Sequence, residues 1–295
     1  MAGESVTIVE VGPRDGLQNE KAEIATADKL ALIGMLADAG LSRIEATAFV
    51  SPRWVPQMAD HEAVMRGVDR RPGVTYSALV PNEKGTEAAL AAGAQALAVF
   101  TAASESFCRK NTNCTIAESI ERFRPVMALA ERVGIPVRGY VSCALDCPYE
   151  GEIAPEAVAA VTAELLALGC NEIALSDTLG RGTPARTTAM VEAVLRRAPA
   201  AMLAGHFHDT SGRAIANVAA AWDLGLRVFD GSVGGLGGCP YAPGAAGNLA
   251  TERLVAHFEA RGIATGIDPA RLRMTADWVA AHIRQVADVG HENRA

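Results

Sequence analysis

"LLALGCNEIAL", residues 165–175, packs the end of a helix, a tight turn and the start of a strand into one short stretch. Leu165, Leu166 and Leu168 continue an amphipathic helical pattern. Gly169 suits the left-handed residue that closes a helix, because it has no Cβ to clash there. Ile173, Ala174 and Leu175 then open a run that is apolar on both faces, as strands of a covered parallel sheet are. The same phrase recurs as "LADAGLSRIEA" (36–46), "ALAAGAQALAV" (89–99), "LAERVGIPVRGYV" (129–141) and "AWDLGLRVFDG" (221–231), with Gly40, Gly93, Gly134 and Gly225 at the matching turn. The repeating unit is helix, tight turn, strand.

Working outward, Val/Ile/Leu-rich runs followed by turn signals place eight strands, around Thr7, Ile44, Tyr76, Val99, Val137, Ile173, Leu203 and Val228. Helical patterns lie between them. Thr26–Ala39 carries Leu30, Ile33 and Leu36 on one side, and Thr115–Val133 opens on Thr115 with Glu118 three positions later, the spacing of a capping box. Eight strands alternating with helices predict an α/β chain folded as a (β/α)8 TIM barrel. An open doubly wound sheet usually has fewer strands and an early dinucleotide glycine motif, which is missing after the first strand. Beyond the eighth strand come a glycine-rich loop, a helix over Thr251–Ala260 and a helical stretch from Asp268 towards Val289. We expect one barrel domain over residues 1–295, with about residues 265–295 as a C-terminal helical extension that caps the barrel or contacts another subunit.

Composition narrows the function. The chain has 295 residues, 49% hydrophobic and 5% aromatic, with a formal net charge of -7 and no block of Lys or Arg. It therefore lacks the basic footprint of a nucleic-acid or anionic-membrane binder, and a small-molecule partner is expected. The opening "SVTIVEV" (5–11) reads as a strand and no run reaches the length of a membrane span, so a cytoplasmic location is expected, or an organelle lumen after processing. Six cysteines at irregular spacing suggest thiols in a reducing compartment, and Cys143 and Cys147 are spaced too widely for a C-x-x-C redox or zinc pair.

In such a barrel, chemistry gathers at the carboxyl ends of the strands. The seventh strand ends in "HFHDT" (206–210). Residues two apart on a strand point to one side, so His206 and His208 face one way and Phe207 the other. That geometry suits two ligands of one metal, the alternative being a hydrogen-bonded pair of core histidines. Asp15, just past the first strand in "GPRDGLQNE" (12–20), is the partner carboxylate, because strand one adjoins strand eight, next to strand seven; it could also be only a turn residue before Gly16. Two imidazoles with oxygen donors and no cysteine cluster favour an open-sided Mg2+ or Mn2+ site over structural zinc, although catalytic zinc also fits. Arg14 offers a permanent cation with a rigid donor fork, suited to a carbonyl oxygen that becomes an enolate. Glu45 and Asp177 are carboxylates in apolar strands, so each should meet a cation, a donor or a metal-bound group, in supporting roles. The loop Gly234–Asn248, which holds Cys239, has the glycine density of a lid, a phosphate cradle or merely a flexible turn.

The stretches "VGPRDGLQNEK" (11–21), "IEATAFVSPRWVPQM" (44–58), "RGYVSCALDCPYEG" (138–151), "HFHDT" and, above all, "GGLGGCPYAPGAAGNLATE" (234–252) resemble the 3-hydroxy-3-methylglutaryl-CoA lyases, within the wider metal-dependent lyase and Claisen-condensing barrels. The resemblance runs from about residue 6 to residue 290; the RDG and H-x-H elements are shared across the superfamily, whereas the Cys239 loop is distinctive of the lyase branch. It implies cleavage of 3-hydroxy-3-methylglutaryl-CoA to acetyl-CoA and acetoacetate, chemistry of leucine degradation and ketone-body metabolism, with a divalent cation (Mg2+ or Mn2+) and no organic cofactor. It further implies Asp15, His206, His208 and Asn248 as metal ligands, Arg14 at the enolate oxygen, Asp15 or His206 as base, and Cys239 in proton transfer. Glu45, Gln18, Asp177 and Glu252 match positions kept near the site, and relatives suggest a homodimer.

Some positions depart from the commoner pattern. Phe207 stands where many relatives have cysteine, Pro243 and Ala246 where Gln and Ser are frequent, and Arg253 where an acid is usual. These leave the ligands intact and bear on which acyl chain is accepted. No cysteine follows Cys239, so the redox control by a C-terminal cysteine in animal relatives is expected to be absent. Competing readings are a lyase for a related 3-hydroxyacyl-CoA such as citramalyl-CoA, a synthase of the isopropylmalate or homocitrate type, and a non-catalytic acyl-CoA-binding barrel. The synthases share a shorter "GERAGN"-like stretch in place of "GCPYAPGAAGN", and a binding module has no need of an acid, a base and a cation in one mouth.

Overall fold

A computed structural model of the chain describes residues 3–18, 20, 22–239 and 242–284, without the side chains of residues 238, 239, 242–246 and 284. Its strands are β1 (Thr7–Glu10), β2 (Arg43–Ala48), β3 (Thr75–Leu79), β4 (Ala96–Ala102), β5 (Val137–Ser142), β6 (Glu172–Asp177), β7 (Leu203–Phe207) and β8 (Val228–Gly231). They lie in sequence order around a closed barrel, every neighbouring pair parallel, and β8 closes onto β1 with Thr7 opposite Val228 and Glu10 opposite Gly231. The fold is a (β/α)8 TIM barrel, and each expected strand centre falls inside an observed strand.

The glycines act as their positions require. Gly40, Gly93, Gly134, Gly169 and Gly225 all have positive φ, from 71° to 117°. A Cβ at Gly40 would lie 2.6 Å from the Gly266 carbonyl oxygen, so this turn is also a close backbone crossing. Helix α5 (Ile116–Val133) begins with the expected capping box between Thr115 and Glu118, and α9 spans Thr251–Ala260 as read from the sequence. Two small antiparallel hairpins, Asp146–Cys147 with Gly151–Glu152 and Gly238–Cys239 with Ala242–Ala246, were not expected: strands this short carry no periodicity.

The C-terminal extension begins as α10 (Pro269–Val279), capped by Asp268, whose backbone N–H donates to Ala39 O at 2.8 Å. It lies against α1 (Thr26–Asp38) and the turn Val233–Gly235, where Val279 closes on Gly234. These contacts brace the root of the glycine-rich loop; the stretch from residue 285 towards Val289 lies outside the described residues.

Apolar side chains fill the layer between strands and helices, with Leu32, Leu36, Ile44, Leu165, Phe229 and Phe258 fully buried. Each contributes about 1.5–3 kcal/mol relative to exposure. The barrel interior is different, for Glu45, Arg138, His206 and Asp230 are buried there and joined across it. Among the described residues no helix is long and apolar enough to cross a membrane.

Candidate metal centre

The chain leaves β1 in a π-helical turn, Gly12–Gly16, which carries Arg14 and Asp15 over the barrel mouth. Gly16 is needed there, since a Cβ would meet Ser232 Oγ at 2.7 Å and Leu236 Cβ at 2.8 Å. The last residues of β7 bring His206, with His208 following; their ring centroids are 5.3 Å apart. His208 makes an isolated antiparallel bridge with Asn248, at the far end of the glycine-rich loop.

Asp15, His206 and His208 each present a ligand atom within 4.8 Å of the others, a grouping that could hold a metal ion. Asp15 Oδ1 accepts from Arg14 Nη1 at 2.7 Å and Oδ2 from Asn248 Nδ2 at 2.8 Å. The Asn248 nitrogen being so used, its amide oxygen is what it can offer a cation. Burial raises the Asp15 carboxyl, but Arg14, His206 and His208 outweigh it and hold the group well below the usual carboxylate range. Burial, with help from His206 and against Asp15, pushes the His208 imidazole down to about 4, leaving it neutral at pH 7 as a metal ligand must be. His208 Nδ1 is buried without a hydrogen-bond partner, a costly arrangement for an imidazole that meets nothing. The donor set and this orphaned nitrogen both fit a divalent cation.

Arg14 is buried and held on two further sides. Its Nε donates to Glu45 Oε1, and its guanidinium lies 5.5 Å from the centroid of the Tyr140 ring. Glu45 Oε2 accepts the Tyr140 hydroxyl at 2.7 Å, so the Glu45 carboxylate has the partners its apolar strand demands.

The remaining expected residues are more dispersed. Gln18 sits partly buried, just beyond Asp15. Glu252, in the first turn of α9, accepts the Gly234 N–H and so ties the loop's start to the helix after its end. Asp177 is buried, and its carboxylate accepts the backbone N–H of Arg181 at 3.3 Å and of Gly182 at 2.8 Å, shaping the loop after β6; it is not gathered with Asp15 and the imidazoles. Phe207 is buried and faces away from the histidines, against Gly205. Arg253 pairs with the buried Asp209, whose own N–H donates to Gly247 O at 2.7 Å. The Cys239 side chain lies outside the description, while Cys108, Cys114, Cys143, Cys147 and Cys170 are buried free thiols.

Four residues beside these went unread in the sequence. Asp230 on β8 accepts His206 Nδ1 at 3.0 Å, and Arg138 and Tyr140 on β5 reach Asp230 and Glu45. Glu10, at the end of β1, accepts the N–H groups of Gly12 and Val233 and the Thr251 hydroxyl. Burial pushes Glu10 up to about 8 despite those three donors. The signal available for Arg138, Asp230 and Glu10 was the one used for Glu45, a charge inside an apolar strand.

Known proteins give this geometry a lineage. The chain is 57% identical to a hydroxymethylglutaryl-CoA lyase of Pseudomonas mevalonii over 265 residues, 90% of this chain and 88% of the relative. A crystal structure of the HMG-CoA lyase from Brucella melitensis superposes with a TM-score of 0.94 at 57% identity, covering 96% of this chain and 99% of that one. An HMG-CoA lyase from Acinetobacter baumannii, solved in complex with coenzyme A and 3-methylmalate, matches with a TM-score of 0.89 at 38% identity, covering 94% and 90% of the two chains. The family model described as HMGL-like matches residues 5–279, and the chain belongs to that family, among the hydroxymethylglutaryl-CoA lyases.

Proposed function

We propose that the chain cleaves 3-hydroxy-3-methylglutaryl-CoA to acetyl-CoA and acetoacetate with the aid of a divalent cation, Mg2+ or Mn2+. The observation that carries the reading is the convergence of Asp15, His206 and His208, with Arg14 against Asp15, at the mouth of a barrel of this family. Asp15, His206 and His208 would hold the cation, with Asn248 adding its amide oxygen. Bound there, the cation supplies Lewis acidity towards the tertiary hydroxyl of the substrate.

The chain's own groups account for the rest. The hydroxyl proton passes to Asp15 or His206. The carbon-carbon bond breaks as the alkoxide carbon becomes the ketone of acetoacetate, and the electron pair passes to an acetyl-CoA enolate. Arg14, anchored by Glu45 and Asp15, meets that oxygen with a fixed positive charge in a buried setting, where it costs no reorganisation. A proton returned to carbon completes acetyl-CoA, and Cys239 is the donor this reading assigns.

The test is incubation of purified protein with a panel of 3-hydroxyacyl-CoA thioesters and Mg2+ or Mn2+, with products identified by mass spectrometry. Acetoacetate from the hydroxymethylglutaryl thioester, lost in excess chelator and regained on adding cation, is the expected result. No cleavage of that thioester, or full turnover in chelator with no retained metal, contradicts it.

A further inference from the structure

Beneath the metal-binding group, the barrel interior carries charges that the reaction above does not use, and Arg138 stands at their junction. Its Nη2 donates to Asp230 Oδ1 at 2.7 Å, and Asp230 Oδ2 holds His206 Nδ1 at 3.0 Å. Its Nη1 donates to the Tyr140 oxygen at 3.1 Å; Tyr140 donates to Glu45, and Glu45 accepts from Arg14. The guanidiniums of Arg138 and Arg14 lie 4.9 and 5.5 Å from the centroid of the same Tyr140 ring. On its remaining side Arg138 Nε lies 2.8 Å from Glu172 Oε1, and Glu172 also takes a two-pronged contact from Arg43 at 2.7 and 2.9 Å.

A guanidinium is a planar fork whose donors leave at fixed angles, so one group serves the two directions at once; an ammonium has no such fixed geometry. An imidazole whose Nδ1–H is held by a carboxylate is fixed in ring orientation and tautomer, with Nε2 turned outward as the ligand atom. Keeping Arg138 and Asp230 charged in a buried setting, with the half-buried Glu172 beside them, is costly unless all are paired, and ion pairs join all three.

We propose that Arg138 is a positioning residue for both halves of the site. Through Asp230 it fixes the His206 ring for cation binding, and through Tyr140 and Glu45 it fixes the Arg14 guanidinium beside Asp15. The second half rests on the lyase reading for the role of Arg14; the first rests only on the cation.

The structure offers a way to test this. A cavity of about 280 Å3 at the N-terminal end of the barrel is lined by Arg43, Glu45, Arg138, Asn171 and Glu172, and Asn171 is exposed. A free guanidinium ion entering there would reach the place of a missing Arg138 side chain.

Full-length Asp230→Asn, Arg138→Lys and Arg138→Ala are to be compared with the parent chain. Mn2+ affinity is measured by calorimetry without substrate, and turnover of the hydroxymethylglutaryl thioester with and without guanidinium chloride. Asp230→Asn should weaken Mn2+ binding by about 10- to 100-fold. Arg138→Ala should lose at least about 100-fold in kcat with little change in KM, as expected when groups acting in the transition state are misplaced. Millimolar guanidinium, but not sodium at equal ionic strength, should restore part of that loss, which it cannot do for a merely unfolded chain. Mn2+ affinity and kcat near the parent values in Asp230→Asn and Arg138→Lys overturn the proposal, as does a loss in a folded Arg138→Ala that guanidinium leaves untouched. Should Arg138→Ala fail to fold, Asp230→Asn and Arg138→Lys decide by the same criteria. A parent chain that binds Mn2+ but does not cleave the thioester defeats the lyase reading alone, and the Mn2+ titrations still decide the positioning claim.

Discussion

Asp15 and Asp177 are the same residue in the same kind of place, the carboxyl end of a barrel strand, yet they meet different partners. Asp15 faces a guanidinium, an amide nitrogen and two imidazoles, and its carboxyl is held well below the usual range. Asp177 faces backbone N–H groups that close the loop after β6; burial raises its carboxyl, and those donors only partly oppose it. The loop wraps so closely that a Cβ on Gly182 would lie 2.7 Å from Asp177 Oδ2. Strand-end position alone does not decide what a carboxylate does. Side-chain partners gathered at the barrel mouth leave Asp15 among groups that can share a cation, whereas backbone amides commit Asp177 to shaping the chain.

The largest expected difference follows from removing Asp15's strongest attractive partner. Arg14→Met should cost roughly a hundred- to a thousandfold in kcat, about 3–4 kcal/mol, with a cation still bound. Steady-state kinetics beside a metal titration checks this, and an active Arg14→Met enzyme would remove Arg14 from the enolate role. On the other side of the comparison, Asp177→Asn should leave cation affinity within about twofold while lowering stability by about 1–3 kcal/mol, since its amide turns a donor towards N–H donors. A large loss of metal binding in that variant would erase the distinction between the two aspartates.

Glu10 supplies the most condition-dependent effect. Its folded value of about 8 lies above the 4.5 of an unperturbed Glu, so between those limits the folded state binds a proton that the unfolded state has lost. Stability from this group therefore falls as pH rises across that window. Glu10→Gln should gain on the parent by up to about 1.4 kcal/mol per pH unit from about pH 5 to 8, read from thermal melts. A pH-independent difference would show that the three donors keep Glu10 ionised throughout.

Much of this was legible in the residues. The barrel could be read because each glycine-closed helix runs into an apolar strand, a local signal repeated around the fold. The pairing of Asp15 with His206 and His208 followed from period-two geometry on β7 and from closure of the barrel, which places β1 beside β8 and one strand from β7. The supporting network was not legible, because its partners are distant: Arg138 and Asp230 are 92 residues apart, Tyr140 and Glu45 are 95 apart. Their strands announce only that a charge is present, not which charge across the barrel answers it. Asp177 was expected to meet a cation, a donor or a metal-bound group, and it meets donors, but which donors could not be read, because backbone N–H groups leave no mark in a sequence.

The central claim is that Asp15, His206 and His208 hold one divalent cation together. Calorimetric titration of Mn2+ into the metal-stripped chain and into Asp15→Asn, His206→Ala and His208→Ala tests it most directly. The account predicts one site per chain, weakened severely by each of the three substitutions. Unchanged affinity and stoichiometry in all three variants would contradict it.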